Sequence, residues 1–380
     1  MVLGGPGVAY SATQQVRGIA AEGCAVTVLT TGVAPGVSMP PGVRVVRTFT
    51  VGERRLPHRP FGRSNVQRWH DRFGAAFVRR HGGDFDIAHV WPGRCTATLS
   101  AARAARLPAL RESPSAHTTE SLARAEREQA ITGVRLGRDQ ALRTDHAKIR
   151  REEREYDLAS AILVPSPLVE LTFLDRGFAP DRLARHRYGF DPERFPVPPP
   201  RTPSTDHPFT ALYVGRCEPT KGLHYALEAW HRSGVSSHGR FRIVGTFVPG
   251  YAEALARLLD HPSVEVRPFT DDVSAEMRAA DVLVLASVAE GSALVTYEAQ
   301  ASGLALLVSD ATGAYVEHGI QGLVHPARDV DTLTEHLRTV ACDPELLARL
   351  QAGAAAHRDA LTWSAAAKVL VDVYEARRRR

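Results

Sequence analysis

Lysine is almost missing from this chain. Of 47 lysines and arginines, only Lys148, Lys221 and Lys368 are lysine. Cysteine is nearly as scarce. Cys24, Cys95, Cys217 and Cys342 are far apart and form no C-x-x-C pair. That excludes the usual zinc cage and a dithiol redox centre. The first residues, Met1-Val2-Leu3-Gly4-Gly5-Pro6, carry neither a basic segment nor an apolar one, so no secretion signal is read there. Without secretion a disulfide framework is not expected, and the setting is read as a reducing cytoplasm, with peripheral contact at the inner membrane surface left open. No apolar run approaches the roughly 20 residues that span a bilayer. Gly4-Gly5-Pro6-Gly7 lacks the G-x-G-x-x-G spacing of a dinucleotide loop. The net charge is +5, yet arginines and glutamates are intermixed, and the terminal run Arg377–Arg380 is read as complementing the dipole of the helix it ends, so nucleic acid is not read as a partner.

What the chain does have is alternation. At 380 residues two domains are the natural prior. Short runs rich in β-branched and apolar residues fall at 25–31, 43–49, 87–91, 109–112 and 161–166. A second series falls at 211–214, 241–245, 264–269, 282–286 and 305–309. Longer amphipathic stretches separate them. Strands alternating with helices predict βαβ units and parallel sheets. The proline-rich stretch from Pro196 to Pro208 divides the two series and cannot form a strand or helix interior. The expected organisation is a Rossmann-like domain over 1–197, a linker over 198–208, a second Rossmann-like domain over 209–362 and a terminal helix over 363–380 returning toward the first domain. Ligands of such sheets sit beyond the carboxyl ends of the strands, which places the site in the cleft between domains. The arginine- and glutamate-rich stretch 117–159 reads as a solvated helical face.

Two segments of the second half carry chemistry. In the first, a buried strand ends at Ser287, and a loop bearing Glu290 leads to a helix start near Ser292 or Ala293. Free amides and the helix dipole make such a start an anion site. Glu298, one to two turns on, suits the two vicinal hydroxyls of a ribose, and Glu290 suits sugar hydroxyls. In the second, Gly215-Arg216-Cys217-Glu218-Pro219-Thr220-Lys221-Gly222 follows a strand. Two cations there suit a diphosphate leaving group. At about 4 Å and an effective dielectric near 20, each charge pair is worth up to roughly 4 kcal/mol before desolvation, so no metal is required. Taken singly, each segment reads equally well as surface residues.

Together these segments resemble the glycosyltransferase group 1 proteins, family 4 of the sequence-based classification. Glu290 and Glu298 match that family's E-x7-E spacing, within the string EGSALVTYEAQASG. Gly215-Arg216 and Lys221-Gly222 match its G-R…K-G. Phe85-Asp86-Ile87-Ala88-His89, the run from Tyr156 to Ser166, and Tyr188-Gly189-Phe190-Asp191 agree in order. The resemblance implies an α/β GT-B fold and a retaining, metal-independent transferase. Its donor would be a nucleotide diphosphate-sugar, UDP- or GDP-linked, and it would have no prosthetic group. The acceptor would be a carbohydrate, lipid-linked or small-molecule hydroxyl, in bacterial glycan or secondary-metabolite synthesis. It also implies roles. Arg216 and Lys221 would hold the diphosphate, Glu298 the ribose, and Glu290 the donor sugar, aided by Gly291, Ser292, Ala293, Leu294 and Val295. Gly245, Arg267 and Phe269 would lie near the base, Gly5 in the glycine-rich loop, and His117 at the reacting sugar. Only Met1-Val2-Leu3 precedes the glycine-rich loop, so an abbreviated first strand or a late start is expected. Gly303-Leu304-Ala305 departs from the family's G-x-P without expected effect.

Asp84-Phe85-Asp86 imitates a metal-binding D-x-D but precedes its strand, the wrong end for a ligand. Asp271-Asp272 reads as a helix cap. Three rivals stay open: a non-catalytic sugar-nucleotide-binding protein, a sugar-nucleotide epimerase of the same fold, and a nicotinamide oxidoreductase.

Overall fold

The computed structural model describes residues 1–51, 54–55, 60–135, 146–198 and 208–378. Most of the expected linker, 199–207, lies outside the described residues. In the second half, six parallel strands stand in the order Val264–Arg267, Arg240–Val244, Thr210–Val214, Val282–Leu285, Ala305–Ser309, Gly322–His325. The order reverses direction beside Thr210–Val214, which opens a crevice at the carboxyl edge. Val282–Leu285 and Ala305–Ser309 are buried at every position, as expected for parallel strands covered on both faces.

The first half holds a parallel sheet ordered Leu183–Arg185, Ala161–Val164, Ala109–Glu112, Ala88–Val90. Two parallel pairs accompany it, Val2–Leu3 with Gly32–Val33 and Thr27–Thr30 with Arg44–Arg47. The short N-terminal strand is also tied by Thr31 N–H donating to the Met1 carbonyl at 3.0 Å. The expectation of two Rossmann-like units holds in its essentials. The strand runs at 109–112 and 305–309 are placed to the residue, and most others are shorter by one or two residues at their ends. The stretch 117–159 contains two helices, Thr118–Thr132 and His146–Leu158, with 136–145 outside the described residues.

The apolar core of the second half takes in residues of the first. Tyr188, Phe190 and Phe195 pack with Trp363 and with the strands of the second sheet. Phe190 and Thr362 form a parallel bridge. From there the helix Trp363–Arg377 lies on the first helix, Val8–Ala21. A side chain at Gly18 would sit 2.6 Å from the Ala367 methyl.

A second tie is ionic. Glu128, on the helix Thr118–Thr132, is fully buried. It accepts from Arg328 Nε at 2.7 Å and from the Tyr225 hydroxyl at 2.9 Å, both in the second half. Removing one member of such a pair strands the other. Glu128→Ala is therefore expected to cost about 3 kcal/mol, read as a lowered midpoint in urea. A Glu128→Ala midpoint equal to wild type would show that this tie contributes nothing.

Candidate functional site

Four loops leave the carboxyl edge of the six-stranded sheet and press together. The loops after the strands ending at Val214 and Val244 touch so closely that a Cβ on Gly245 would fall 1.8 Å from the Gly215 carbonyl oxygen. Cys217 N–H donates to the Thr246 carbonyl at 3.0 Å. The short 3-10 turn Pro219–Lys221 ends at Gly222, whose φ is +67° and whose missing Cβ would meet the Ala286 carbonyl oxygen at 1.9 Å. Only glycine satisfies both conditions. Val288 N–H closes the contact by donating to the Thr220 carbonyl at 2.9 Å. The loop after Val282–Leu285 is thereby fixed beside the loop after Thr210–Val214.

This packing brings Lys221 and Glu290 into a direct ion pair. Both are mostly buried, and the Ser287 hydroxyl also donates to Glu290, at 3.3 Å. Arg216 is half exposed at the rim, its Nε 3.3 Å from Glu218. The helix Leu294–Ala301 starts with Ala293 as its cap, one residue from the expected start. Of the amides assigned to the anion site, that of Ala293 already donates to the Thr312 carbonyl at 3.2 Å. The Ser292 hydroxyl shares a hydrogen bond with the Tyr297 hydroxyl at 2.8 Å. Glu298 lies in the same helix, and burial pushes its carboxyl up to about 7, against the downward pull of Arg194.

The first half closes over these loops. A Cβ on Gly291 would lie 1.9 Å from the Pro114 carbonyl oxygen, so backbone meets backbone there. The Ser166 hydroxyl donates to the Gly291 carbonyl at 2.5 Å, and Arg124 Nη1 donates to the Val288 carbonyl at 3.1 Å. Sequence reasoning noticed Ser166 only as the end of a strand and did not single out Arg124. No local signal marks either, because their partners lie more than a hundred residues away.

His117 follows the Pro114–Ser115 contact directly. Its Nδ1 accepts the Thr119 N–H at 3.3 Å and caps the helix Thr118–Thr132. Its ring is packed against Tyr156 and Phe173. Burial, aided by Arg176 and Arg111, lowers its pKa to about 4, which leaves the imidazole neutral at physiological pH. Gly5 sits in the turn after Val2–Leu3, its N–H donating to the Val2 carbonyl at 3.2 Å. Phe269 lies past the edge strand Val264–Arg267 and is 69% exposed. Arg267 is held by Glu276 and Glu265. Asp272 caps the helix Val273–Arg278, accepting from Ala275 N–H at 2.9 Å, which agrees with the capping expectation.

The architecture is that of the GT-B glycosyltransferases. The chain superimposes on sucrose-phosphate synthase from Thermosynechococcus elongatus with a TM-score of 0.69 and 20% identity, covering 98% of this chain and 94% of that one. It also superimposes on Anabaena HepE in complex with UDP-glucose, with a TM-score of 0.66 and 16% identity over 99% and 98% of the two chains. Residues 208–343 match the family model for glycosyl transferases group 1. A D-inositol 3-phosphate glycosyltransferase of Streptomyces bingchenggensis is 30% identical over 228 residues, 51% of this chain and 50% of that protein. The chain thus spans half the length of that relative. A protein of the same description from Geodermatophilus obscurus is 27% identical across 95% of this chain and 82% of its own length.

Proposed function

We propose that this protein transfers a glycosyl group from a nucleoside diphosphate sugar to an acceptor hydroxyl with retention of configuration. The observation that carries the reading is the meeting of Lys221, Glu290 and the Leu294–Ala301 helix start at the switch point of the six-stranded sheet, under a lid formed by Pro114 and Ser166. A diphosphate placed at this helix start would draw Lys221 away from Glu290, with Arg216 swinging in from the rim. The released Glu290 carboxylate would then accept hydrogen bonds from the donor sugar. Glu298 would take the ribose hydroxyls. The bond from the anomeric carbon to phosphate oxygen breaks as the acceptor oxygen bonds to that carbon on the same face. The acceptor proton passes to the departing phosphate oxygen. Two cations offset the charge developing there, so no metal enters the scheme. His117, neutral and close to the Pro114 contact, would orient a sugar hydroxyl. UDP is favoured as the nucleotide because Anabaena HepE carries UDP-glucose on the same fold. The acceptor class remains a carbohydrate, a lipid-linked intermediate or a small molecule.

Thermal melting with UDP, GDP, ADP, TDP and NAD tests this reading. One nucleoside diphosphate at a hundred times its Kd is expected to stabilise the protein by about 2.7 kcal/mol. A response to NAD alone, or to none of the five, would overturn the transferase reading.

A further inference from the structure

A cavity of about 520 Å³ opens in the first half of the chain. Its walls carry five arginines, Arg68, Arg94, Arg150, Arg151 and Arg154, against one carboxylate, Asp71. They come from three separate places. Arg68 and Asp71 lie on the helix Arg63–His81, Arg94 in the loop before Thr96–Ala104, and the other three on His146–Leu158.

The nearby carboxylates are already committed. Asp71 accepts the amides of Ala97 and Thr98, both at 2.9 Å, and the Thr98 hydroxyl. Glu155, behind the wall, accepts the Cys95 amide at 2.9 Å and the Thr96 hydroxyl at 3.0 Å, and it faces Arg111. Among the described residues, none of the five arginines pairs with a carboxylate within 4 Å. Among the described residues, the hydrogen bond of the Arg94 guanidinium goes to the Ser64 hydroxyl, at 3.2 Å. The Arg151 Nε is buried without a hydrogen-bond partner. Burial lowers the Arg94 pKa first, and the charges of Arg151 and Arg68 add to that against the opposing pull of Glu155 and Asp71. Arg94 also holds a φ of +84°, a costly conformation for a residue with a side chain.

Like charges drawn together in a concave site, with strained backbone and an unsatisfied buried donor, call for an anion. The position says which one. The Gly93–Arg94 loop leaves Ala88–Val90 at its carboxyl end, the same edge from which the Pro114 loop leaves Ala109–Glu112 to meet Gly291. Trp91, at the start of that loop, packs on the apolar core of the second half. The cavity therefore flanks the acceptor side of the proposed cleft. Five guanidinium groups against one carboxylate leave an excess of four charges. A phosphate monoester brings about two negative charges at most, and a diphosphate brings more.

We propose that this cavity is an acceptor subsite for a diphosphate group, held by bidentate hydrogen bonds from Arg94 and Arg151 with Arg68, Arg150 and Arg154 around it. Guanidinium forks match phosphoryl oxygens in this way. The proposal deepens the transferase reading and rests on it for the word acceptor.

The test is calorimetric titration with inorganic pyrophosphate, with UDP titrated in parallel to read the donor site separately. Wild type is expected to bind pyrophosphate. Lys221→Ala should lose UDP and keep a pyrophosphate site. The double variant Arg94→Gln/Arg151→Gln should lose at least tenfold in pyrophosphate affinity and keep UDP. The exposed-site variant Arg68→Gln guards against misfolding of the double variant and should weaken pyrophosphate severalfold. The proposal is overturned if pyrophosphate binding vanishes with Lys221→Ala, if wild type does not bind it, or if the arginine variants bind it as wild type does. Should UDP fail to bind anywhere while the arginine pattern holds, the anion subsite stands and the transferase reading falls. Phosphatidylcholine vesicles doped with a polyprenyl diphosphate identify the source. Arginine-dependent co-sedimentation assigns a lipid-linked acceptor, and its absence beside pyrophosphate binding assigns a soluble one.

Discussion

Lys221→Ala is expected to lower kcat/KM about 10³-fold, close to 4 kcal/mol of transition-state stabilisation, with the fold intact. Lys221 is one of only three lysines in a chain that otherwise uses arginine. The turn Pro219–Lys221 aims it at Glu290, and Gly222 locks the turn against Ala286. Lysine suits this place because its compact ammonium can move from one oxygen to another, whereas a guanidinium fork is fixed in plane.

The loss would have two parts. An attraction to the diphosphate disappears, and the Glu290 carboxylate, no longer paired, faces the phosphate oxygens. The double variant Lys221→Ala/Glu290→Gln separates them. It should recover part of the nucleotide affinity lost in the single variant, since the repulsion is gone. It should recover no turnover, since Glu290 is assigned to the donor sugar. Titration calorimetry with UDP beside a turnover assay reads both. If Lys221→Ala turns over within tenfold of wild type, Lys221 does not hold the leaving group. If the double variant binds no better than the single, the ion pair is not what Lys221 shields.

Much of the fold was legible in the sequence for a simple reason. Strands covered on both faces read as unbroken apolar runs, so Val282–Leu285 and Ala305–Ser309 were plain. Leu183–Arg185 and Gly322–His325 were not. One has three residues, the other has only two apolar residues between a glycine and a histidine, and each is made a strand by its neighbour in the sheet. The residues assigned to the donor could be grouped from the sequence because they lie on two short loops after strands that are neighbours in the sheet. The acceptor side could not. Ser166 reaches Gly291 and Arg124 reaches Val288 only across the cleft. The arginine cavity gathers residues 68, 94, 150, 151 and 154; the last three lie in the stretch 117–159, which in sequence reads as a solvated helical face, and nothing local marks the first two. Only the packing of three elements turns them into one wall.

Glu298 is expected to make nucleotide binding fall with acidity below about pH 7. Burial carries its carboxyl from 4.5 up to about 7 in the protein without ligand. Two ribose hydroxyls donating to it would favour the ionised form and draw its pKa down again. By linkage, UDP affinity should then drop nearly tenfold per pH unit below 7 and level off above 8. Glu298→Gln cannot ionise, so it should bind weakly and with this slope removed. Stability should move the other way. A carboxyl whose pKa is raised by folding contributes stability that is complete below the unfolded value and is lost as pH rises through the folded one. In the ligand-free protein this contribution is present near pH 4.5 and gone by pH 8. The full shift is worth on the order of 3 kcal/mol, so at pH 8 Glu298→Gln should melt higher than wild type while binding UDP less well. Greater stability with poorer binding is the signature of a carboxylate kept in an unfavourable place for its ligand. A variant that binds UDP as wild type does at pH 8, or a wild-type affinity flat from pH 5.5 to 8, would remove Glu298 from the ribose site.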